Sequence, residues 1–434
     1  MAHVLVLTLV FPPDGVSTAV IMGELCADLK CAGHDVTVVT TVPHYNRDRE
    51  AEARQPLVRK WGPLLYSSAY QGVRALHVGM PRKSGRMVVR LLAWAQFHVL
   101  SLFVSAVLVR RVDIILAPSP PLTTGVCAWL LGRFYRAPYI YNVQELYPDI
   151  AITLGAVKNR WIISLLFVLE RFVYARARVI TVIAGRMGRR LIRKGVPADK
   201  VRLIPNFVDV SDMVPLPKGN EFSCRHGLDG AFVVSYAGNM GRAQGLEWLL
   251  QAAALLRQEP RLKFLLVGKG ILQKRLQTIV QERALDNVLI LPHQPYSLVP
   301  QIYASSDICL VPLAANAASD AIPSKVYRIM ACGRPVLACA DADSDLADLV
   351  MTARCGTVVA PESPDALALA ITTAMRSRSA CAAMGESGRA HVTAHYARES
   401  ISAQYDALVR ELSGNVVAGA SDAGGTAARL QRPW

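Results

Sequence analysis

The chain alternates short, nearly continuous apolar runs with longer stretches in which apolar residues recur at helical spacing. In the first half the runs lie at 4–11, 35–40, 75–78, 114–117, 139–143, 179–183 and 201–204. In the second half they lie at 233–237, 263–267, 288–291, 308–312, 335–338 and 357–360. Short runs rich in Val, Ile and Leu, without polar alternation, read as strands buried on both faces. Helical stretches between them make the sheets parallel and cover both sides. The pattern therefore predicts an α/β protein of two doubly wound, Rossmann-like halves facing across a cleft. Ligands of such sheets bind at the carboxyl ends of the strands. A last helical pattern covers 396–412, and the Gly- and Ala-rich residues 413–434 read as a disordered tail. The expected division is 1–208, 209–395, the helix 396–412 and the tail.

Composition sharpens this picture. Of 434 residues, 52% are hydrophobic and 19% charged, which excludes a disordered or fibrous chain. The mean hydropathy of +0.27 marks an apolar protein that suits contact with a membrane. The net charge of +15 is unevenly placed: residues 1–208 hold 27 basic and 12 acidic side chains, and the remainder balances at 21 of each. So complete an asymmetry points the first half toward anions, either lipid headgroups or a phosphorylated substrate. Nucleic acid is a poor partner, because no helix-turn-helix, zinc or RNA-binding signature is present and aromatics are only 7%. Nine scattered cysteines without a C-x-x-C pair read as buried thiols in a reducing compartment, with no metal site. The first ten residues lack a charged region before the apolar run, so they read as a strand and not as a secretory signal.

Residues 91–109 carry no formal charge and approach the roughly 20 residues that cross a bilayer. A span would put the flanking strands on opposite sides of a membrane and break the sheet, so the segment reads as a buried or interfacial helix. Arg82, Lys83, Arg86 and Arg90 precede it and suit an anionic leaflet. A second apolar helix, 161–173, follows Lys158 and Arg160 and fits either role.

Candidate chemistry clusters where strands end. Phe11-Pro12-Pro13-Asp14-Gly15 follows the first strand, and Gly15 lets backbone approach a phosphate. His44 follows the second strand. Ser119 and Thr123, in Pro118–Gly125, follow a later one, and Glu145 and Asp149, in Asn142–Asp149, the next. Carboxylates at such an edge suit acid–base or charge-stabilising work, although Asp149 also suits a helix cap. In the second half, Tyr236-Ala237-Gly238-Asn239-Met240-Gly241-Arg242-Ala243-Gln244-Gly245 joins a strand to a helix in the form of a phosphate cradle. Gly268-Lys269-Gly270 repeats that logic. Asp320 to Val336 reads as a loop entering a helix, with Ser324, Lys325 and Arg328 near the helix start. Each piece alone equally suits ordinary strand–helix punctuation.

Taken in order, these pieces resemble one family. FPPDG, GHDVTVVT, SPPLTTG, VQELYPD, IPNFVD, GNMGRAQG and PSKVYRIMACGRPV look like a retaining, GT-B-fold glycosyltransferase of sequence family 4. The likeness spans roughly residues 3–412 and is closest to the branch that makes bacterial O-antigen, capsule or colanic-acid-type polysaccharides. The resemblance implies a nucleotide-sugar donor, itself a substrate and not a cofactor, held by the second domain. It implies no catalytic metal, and a final helix crossing back to the first domain. For this branch it implies a polyprenyl-diphosphate-linked acceptor and a cytoplasmic enzyme held peripherally at the inner face of the membrane. The independently found charge split agrees.

The family's residues transfer only in part. Its paired acids fall on Asp320 and Arg328 here, and a guanidinium donates but does not accept hydrogen bonds. Its Arg and Lys on the glycine loop fall on Asn239 and Gln244, leaving Arg242 and Lys325 to supply charge. The expected roles follow. Lys325, Arg242, Lys269 and the loop Gly238–Gly241, with Gly15, meet the departing diphosphate, and Gln244, Gly268, Ser324 and Arg328 complete the donor side. Asp320 holds the donor sugar, and Glu145 orients or stabilises. His44, Ser119, Thr123 and Asp149 face the acceptor. The resemblance implies retention, with front-face attack and a UDP donor carrying an N-acetylated amino sugar. A UDP-sugar 2-epimerase and a non-catalytic membrane scaffold of the same fold stay open as alternatives.

Overall fold

A computed structural model describes residues 1–44, 49–80, 87–153, 155, 157–315 and 322–414, without the side chains of 49, 87, 88, 90 and 91. Asp320, the basic residues Arg82, Lys83 and Arg86, and 415–434 lie outside the described residues. The chain forms two units, one of Met1–Pro205 with the chain from Ile401 onward, the other Asn206–Ser400.

The first unit is built on nine strands: β1 His3–Leu7, β2 Asp35–Thr41, β3 Val58–Trp61, β4 Leu65–Tyr70, β5 Val73–Val78, β6 Ile114–Pro118, β7 Tyr139–Val143, β8 Val179–Val182 and β9 Val201–Leu203. Their order is β3-β4-β5-β2-β1-β6-β7-β8-β9. From β5 to β9 all pairings are parallel, while β3, β4 and β5 pair antiparallel. That antiparallel edge departs from the all-parallel expectation. β3 is exposed at every position, so it lacks the apolar run that marks the other strands. The first strand ends at Leu7, four residues earlier than its apolar run.

Strand order reverses at the β1–β6 boundary. Right-handed crossovers then send the Ser17–Cys31 helix to one face and the Met87–Leu108, Thr123–Tyr135 and Arg160–Arg176 helices to the other. The last helix, Arg398–Leu412, starts two residues later than its pattern suggests. Its Asp406 carboxylate lies 2.7 Å from buried His34 Nε2, and Asn142 Nδ2 donates to the Tyr405 hydroxyl at 2.9 Å. Ser402 Oγ donates to Asp28 at 2.6 Å, which ties this helix to Ser17–Cys31.

The second unit carries β10 Phe232–Asn239, β11 Leu262–Lys269, β12 Val288–Leu291, β13 Ile308–Pro312, β14 Val336–Cys339 and β15 Gly356–Val359, in the order β12-β11-β10-β13-β14-β15 and all parallel. Phe232, Tyr236, Phe264 and Leu266 form its core beneath the Leu246–Leu255 helix. Order reverses between β10 and β13. Arg389 ties the unit together by donating to the Met213 and Ala331 carbonyls at 2.7 and 2.6 Å.

Candidate active site

In a doubly wound sheet, the loops on either side of the reversal point part and leave a crevice at the carboxyl edge. In the second unit those loops follow β10 and β13. β10 and β11 stay paired to their ends, Gly238 opposite Gly268 and Asn239 opposite Lys269. Gly268 is required there, because a Cβ on it would lie 1.9 Å from the Gly238 carbonyl oxygen. Gly238 has φ +147°, and a Cβ on it would lie 2.9 Å from Lys325 Nζ. The absent side chain is what lets the ammonium reach the end of β10.

Lys325 begins the short Lys325–Ala331 helix on the far side of the crevice, and its Nζ lies 3.9 Å from the centroid of the Tyr236 ring. Tyr236 is fully buried, and its hydroxyl donates to the Asn239 carbonyl. One side chain therefore supports the ammonium with its face and the glycine loop with its end, a cation–π arrangement. Burial, and secondarily the positive Arg328, lowers the Lys325 pKa to about 7. Solvent reaches part of the side chain and the ring face favours the cation, so charge persists at neutral pH beyond what burial alone would leave. Among the described residues no carboxylate forms an ion pair with Lys325.

The loop beyond Asn239 closes on itself. Gly241 N donates to Gln244 Oε1 at 3.1 Å, and Gly245, at φ +56°, turns the chain into the Leu246–Leu255 helix. Gln244 is thus a loop brace. Arg242, Asn239 and Lys269 are exposed around it. Ser324 precedes Lys325 and makes no capping bond. Arg328 stands apart, its guanidinium 5.1 Å from the Tyr296 ring. Backbone amides and the ammonium of a half-buried lysine at one glycine-rich turn are suited to a diphosphate.

In the first unit the reversal at β1–β6 places Gly15, exposed, after β1 and Ser119 after β6. His44 follows β2. Its amide donates to Asp14 Oδ2 at 3.0 Å and its Nδ1 lies 2.9 Å from Thr41 Oγ1. Ser119 Oγ accepts from Gln144 N at 3.1 Å, which fixes the loop bearing Glu145. Glu145 is exposed to solvent, while the protein around it desolvates its carboxyl and raises the pKa above the ordinary range. Thr123 and Asp149, which open the helices after β6 and β7, are each held by a neighbouring side chain. Thr123 Oγ1 lies 2.7 Å from His98 Nε2 on a neighbouring helix. Asp149 accepts from Arg190 at 2.7 Å and from Lys194, which also holds the buried Glu170 at 2.7 Å. A carboxylate so engaged anchors packing. Tyr236 and Asp14 went unselected by sequence reasoning, although both stand inside the motifs quoted above. Among the described residues no group of His, Cys, Asp or Glu could hold a metal ion.

Comparison with known proteins agrees with this geometry. Residues 15–206 match the Glycosyl transferase 4-like domain and residues 231–377 match Glycosyl transferases group 1. Together the matches cover most of the chain, which is a glycosyltransferase of GT-B fold carrying these two domains. Among its relatives is the Escherichia coli (strain K12) protein named as a colanic acid biosynthesis glycosyl transferase, WcaI, 28% identical over 86% of this chain and 92% of the relative. In fold it is similar to sucrose-phosphate synthase from Thermosynechococcus elongatus, with TM-score 0.73, 20% identity and coverage of 95% and 100% of the two chains. It is also similar to Anabaena HepE solved with UDP-glucose, with TM-score 0.70, 17% identity and coverage of 95% and 100%.

Proposed function

We propose that this chain moves an N-acetylated amino sugar from a UDP-linked donor to a polyprenyl-diphosphate-linked saccharide, with retention of configuration and without a catalytic metal or other cofactor. The observation that carries the reading is the Lys325 ammonium seated over Tyr236 at Gly238. The UDP-glucose bound by the structurally similar HepE supports a nucleotide-sugar donor of this kind.

Breaking the sugar–phosphate bond builds negative charge on the departing diphosphate. Donors fixed in advance where that charge develops lower the barrier. Lys325 Nζ, Arg242 and the amides of Gly238–Gly241 take that role, with Gly15, Gly268 and Lys269 as further approaches. Asp320 holds the donor sugar and Arg328 contacts the donor from the Tyr296 side. The acceptor hydroxyl attacks from the leaving-group face, and the departing phosphate helps to take its proton. Glu145 orients the acceptor or stabilises charge, with His44 and Ser119 beside it. The acceptor's lipid places the enzyme in the cytoplasm, peripherally on the inner face of the membrane.

A melting-temperature series with UDP, GDP, ADP and CMP tests the donor site, since a ligand of the folded state raises the midpoint as it saturates. The expected result is a selective shift with UDP, followed by transfer to a lipid-linked acceptor with chelator present. A selective GDP shift would overturn the uridine assignment. Nucleotide binding without transfer to any lipid-linked acceptor would leave the non-catalytic scaffold. Sugar interconversion without acceptor would identify an epimerase.

A further inference from the structure

The Lys325–Ala331 helix carries the ammonium of the donor site but is only seven residues long. A helix of that length does not hold itself in water, so what packs on it sets its place. A misplacement of about 1 Å in a reacting site can reduce turnover roughly 10²-fold. The residues that fix this helix therefore bear on the reaction without touching the donor.

Two side chains fix it, both from the stretch that closes the second unit. Arg389, on the Arg378–His395 helix, donates to the Ala331 carbonyl at 2.6 Å, at the C-terminal end of the Lys325 helix. The last carbonyls of a helix lack partners within it, and a cation there also suits the helix dipole. The same guanidinium donates to the Met213 carbonyl at 2.7 Å and to the Val210 carbonyl at 2.9 Å. Gly385 admits this close approach, since a Cβ on it would lie 2.1 Å from the Gly333 carbonyl oxygen.

Tyr396 supplies the second hold. Its ring stacks on that of Tyr327, with centroids 4.6 Å apart and planes 30° from parallel. Tyr327 is buried, and among the described residues its hydroxyl has no hydrogen-bond partner, so the ring contact is what it contributes here. Residues two apart on a helix do not face each other. Tyr327 thus grips the helix from behind while Lys325 reaches over Tyr236.

Both holds lead to the same place. The Tyr396 carbonyl accepts from the Val208 amide at 3.0 Å, and the Arg398 amide donates to the Val208 carbonyl at 3.1 Å, which pairs Val208 with Ala397 in parallel. Arg398 also donates to Asp209 at 3.0 Å, both side chains being largely buried. The chain enters the second unit at Asn206 and leaves it at Ser400. Arg389 and Tyr396 therefore tie the Lys325 helix to the entering and leaving segments together.

We propose that Arg389 and Tyr396 are positioning residues for sugar transfer: they fasten the Lys325 helix to the paired segments 208–213 and 396–398, and so set the ammonium over the Tyr236 ring at the end of β10. The proposal rests on the reading of Lys325 as a group that meets the departing diphosphate.

The full chain is labelled with 13C at lysine Cε and observed by NMR without ligand. Lys325 Nζ lies 3.9 Å from the Tyr236 centroid, so the adjoining methylene feels the ring's shielding field, and Lys325→Met assigns its signal. Tyr396→Leu and Arg389→Met are expected to move that signal toward those of the other lysines. Both are expected to lower kcat about tenfold or more with a UDP-N-acetylhexosamine donor and a lipid-linked acceptor, while KM changes less than about threefold. Tyr396→Phe keeps the stacked ring and is expected to match wild type in both readouts. Arg389→Lys, whose ammonium cannot reproduce the planar fork, replaces Arg389→Met if that variant does not fold. A merely structural role would lower the melting temperature and leave the Lys325 signal in place. An unmoved signal in the folded Tyr396→Leu and Arg389 variants overturns the proposal, and so does an equal loss in Tyr396→Phe and Tyr396→Leu. Unchanged kcat in those variants, where Lys325→Met itself lowers kcat, overturns it too. Absence of turnover in the wild type, or unchanged kcat in Lys325→Met, would fault the donor reading alone, and the lysine signal would still decide whether the two residues place Lys325.

Discussion

Exchanging Lys325 for methionine keeps an unbranched side chain against the Tyr236 ring and removes only the charge. The residue is half-buried, and its ammonium lies 3.9 Å from the ring centroid with no carboxylate partner among the described residues. Removing a cation of that kind breaks no ion pair and relieves a desolvated charge, so the melting temperature is expected to hold or rise slightly. Catalysis should respond differently. A donor aimed at charge that develops on a leaving group is worth about 2.7–4 kcal/mol, or roughly 10²–10³ in kcat. The loss is expected mainly in kcat with a smaller change in KM.

Protonation supplies a second readout. An unfolded lysine titrates near about 10.4, and Lys325 in the folded chain near 7. The unfolded chain therefore binds this proton first as pH falls, so Lys325 lowers stability progressively across that window and no further below about 7. A bound diphosphate favours the ammonium. Nucleotide binding should then take up a proton, and affinity should fall as pH rises from about 7 to 9. Calorimetry in buffers of different ionisation enthalpy reads the uptake directly. A folded Lys325→Met enzyme with kcat within about threefold of wild type, and with the same proton uptake, would refute the role assigned to this residue.

Three further outcomes follow from the geometry. Gly268→Ala places a Cβ 1.9 Å from the Gly238 carbonyl oxygen; separating the two strands should cost about 2–4 kcal/mol in denaturant unfolding, and wild-type stability would show that the strand end yields. Glu145→Gln should reduce kcat by about tenfold with stability unchanged, because the side chain is exposed; unchanged kinetics would make it structural. Asp149→Asn should leave transfer kinetics near wild type while lowering stability by about 1–3 kcal/mol, since it weakens the hold on Arg190 and Lys194; a selective kinetic loss in a stable variant would return Asp149 to the acceptor.

Much of this architecture was legible in the order of residues. Each of the thirteen apolar runs overlaps a strand, because a parallel strand buried on both faces must be apolar along most of its length. The strands Val58–Trp61 and Leu65–Tyr70 were not legible. They form an antiparallel edge whose mixed composition reads as loop until β5 is there to pair with it. The glycine turn at 238–245 was legible for a similar local reason, since its positive φ values and close backbone approaches admit little else.

Partnership across distance was not legible. Tyr236 reads as one more core residue of a strand, and only the fold brings Lys325, 89 positions later, over its ring. Asp149 reads as a site carboxylate until packing supplies Arg190 and Lys194, 41 and 45 residues away. That Gln244 turns back to accept from the Gly241 amide shows only in the folded loop. The helices 87–108 and 160–176 show the division most plainly. Their apolar composition is local and visible in the chain. Which face meets the sheet is a matter of docking, and here Ser101, Ser105 and Glu170 turn inward while Phe103, Trp161 and Leu165 turn out. Local periodicity specifies elements and turns because it acts through neighbours in sequence. Ion pairs, ring contacts and exposed faces depend on surfaces that come together only when the elements pack.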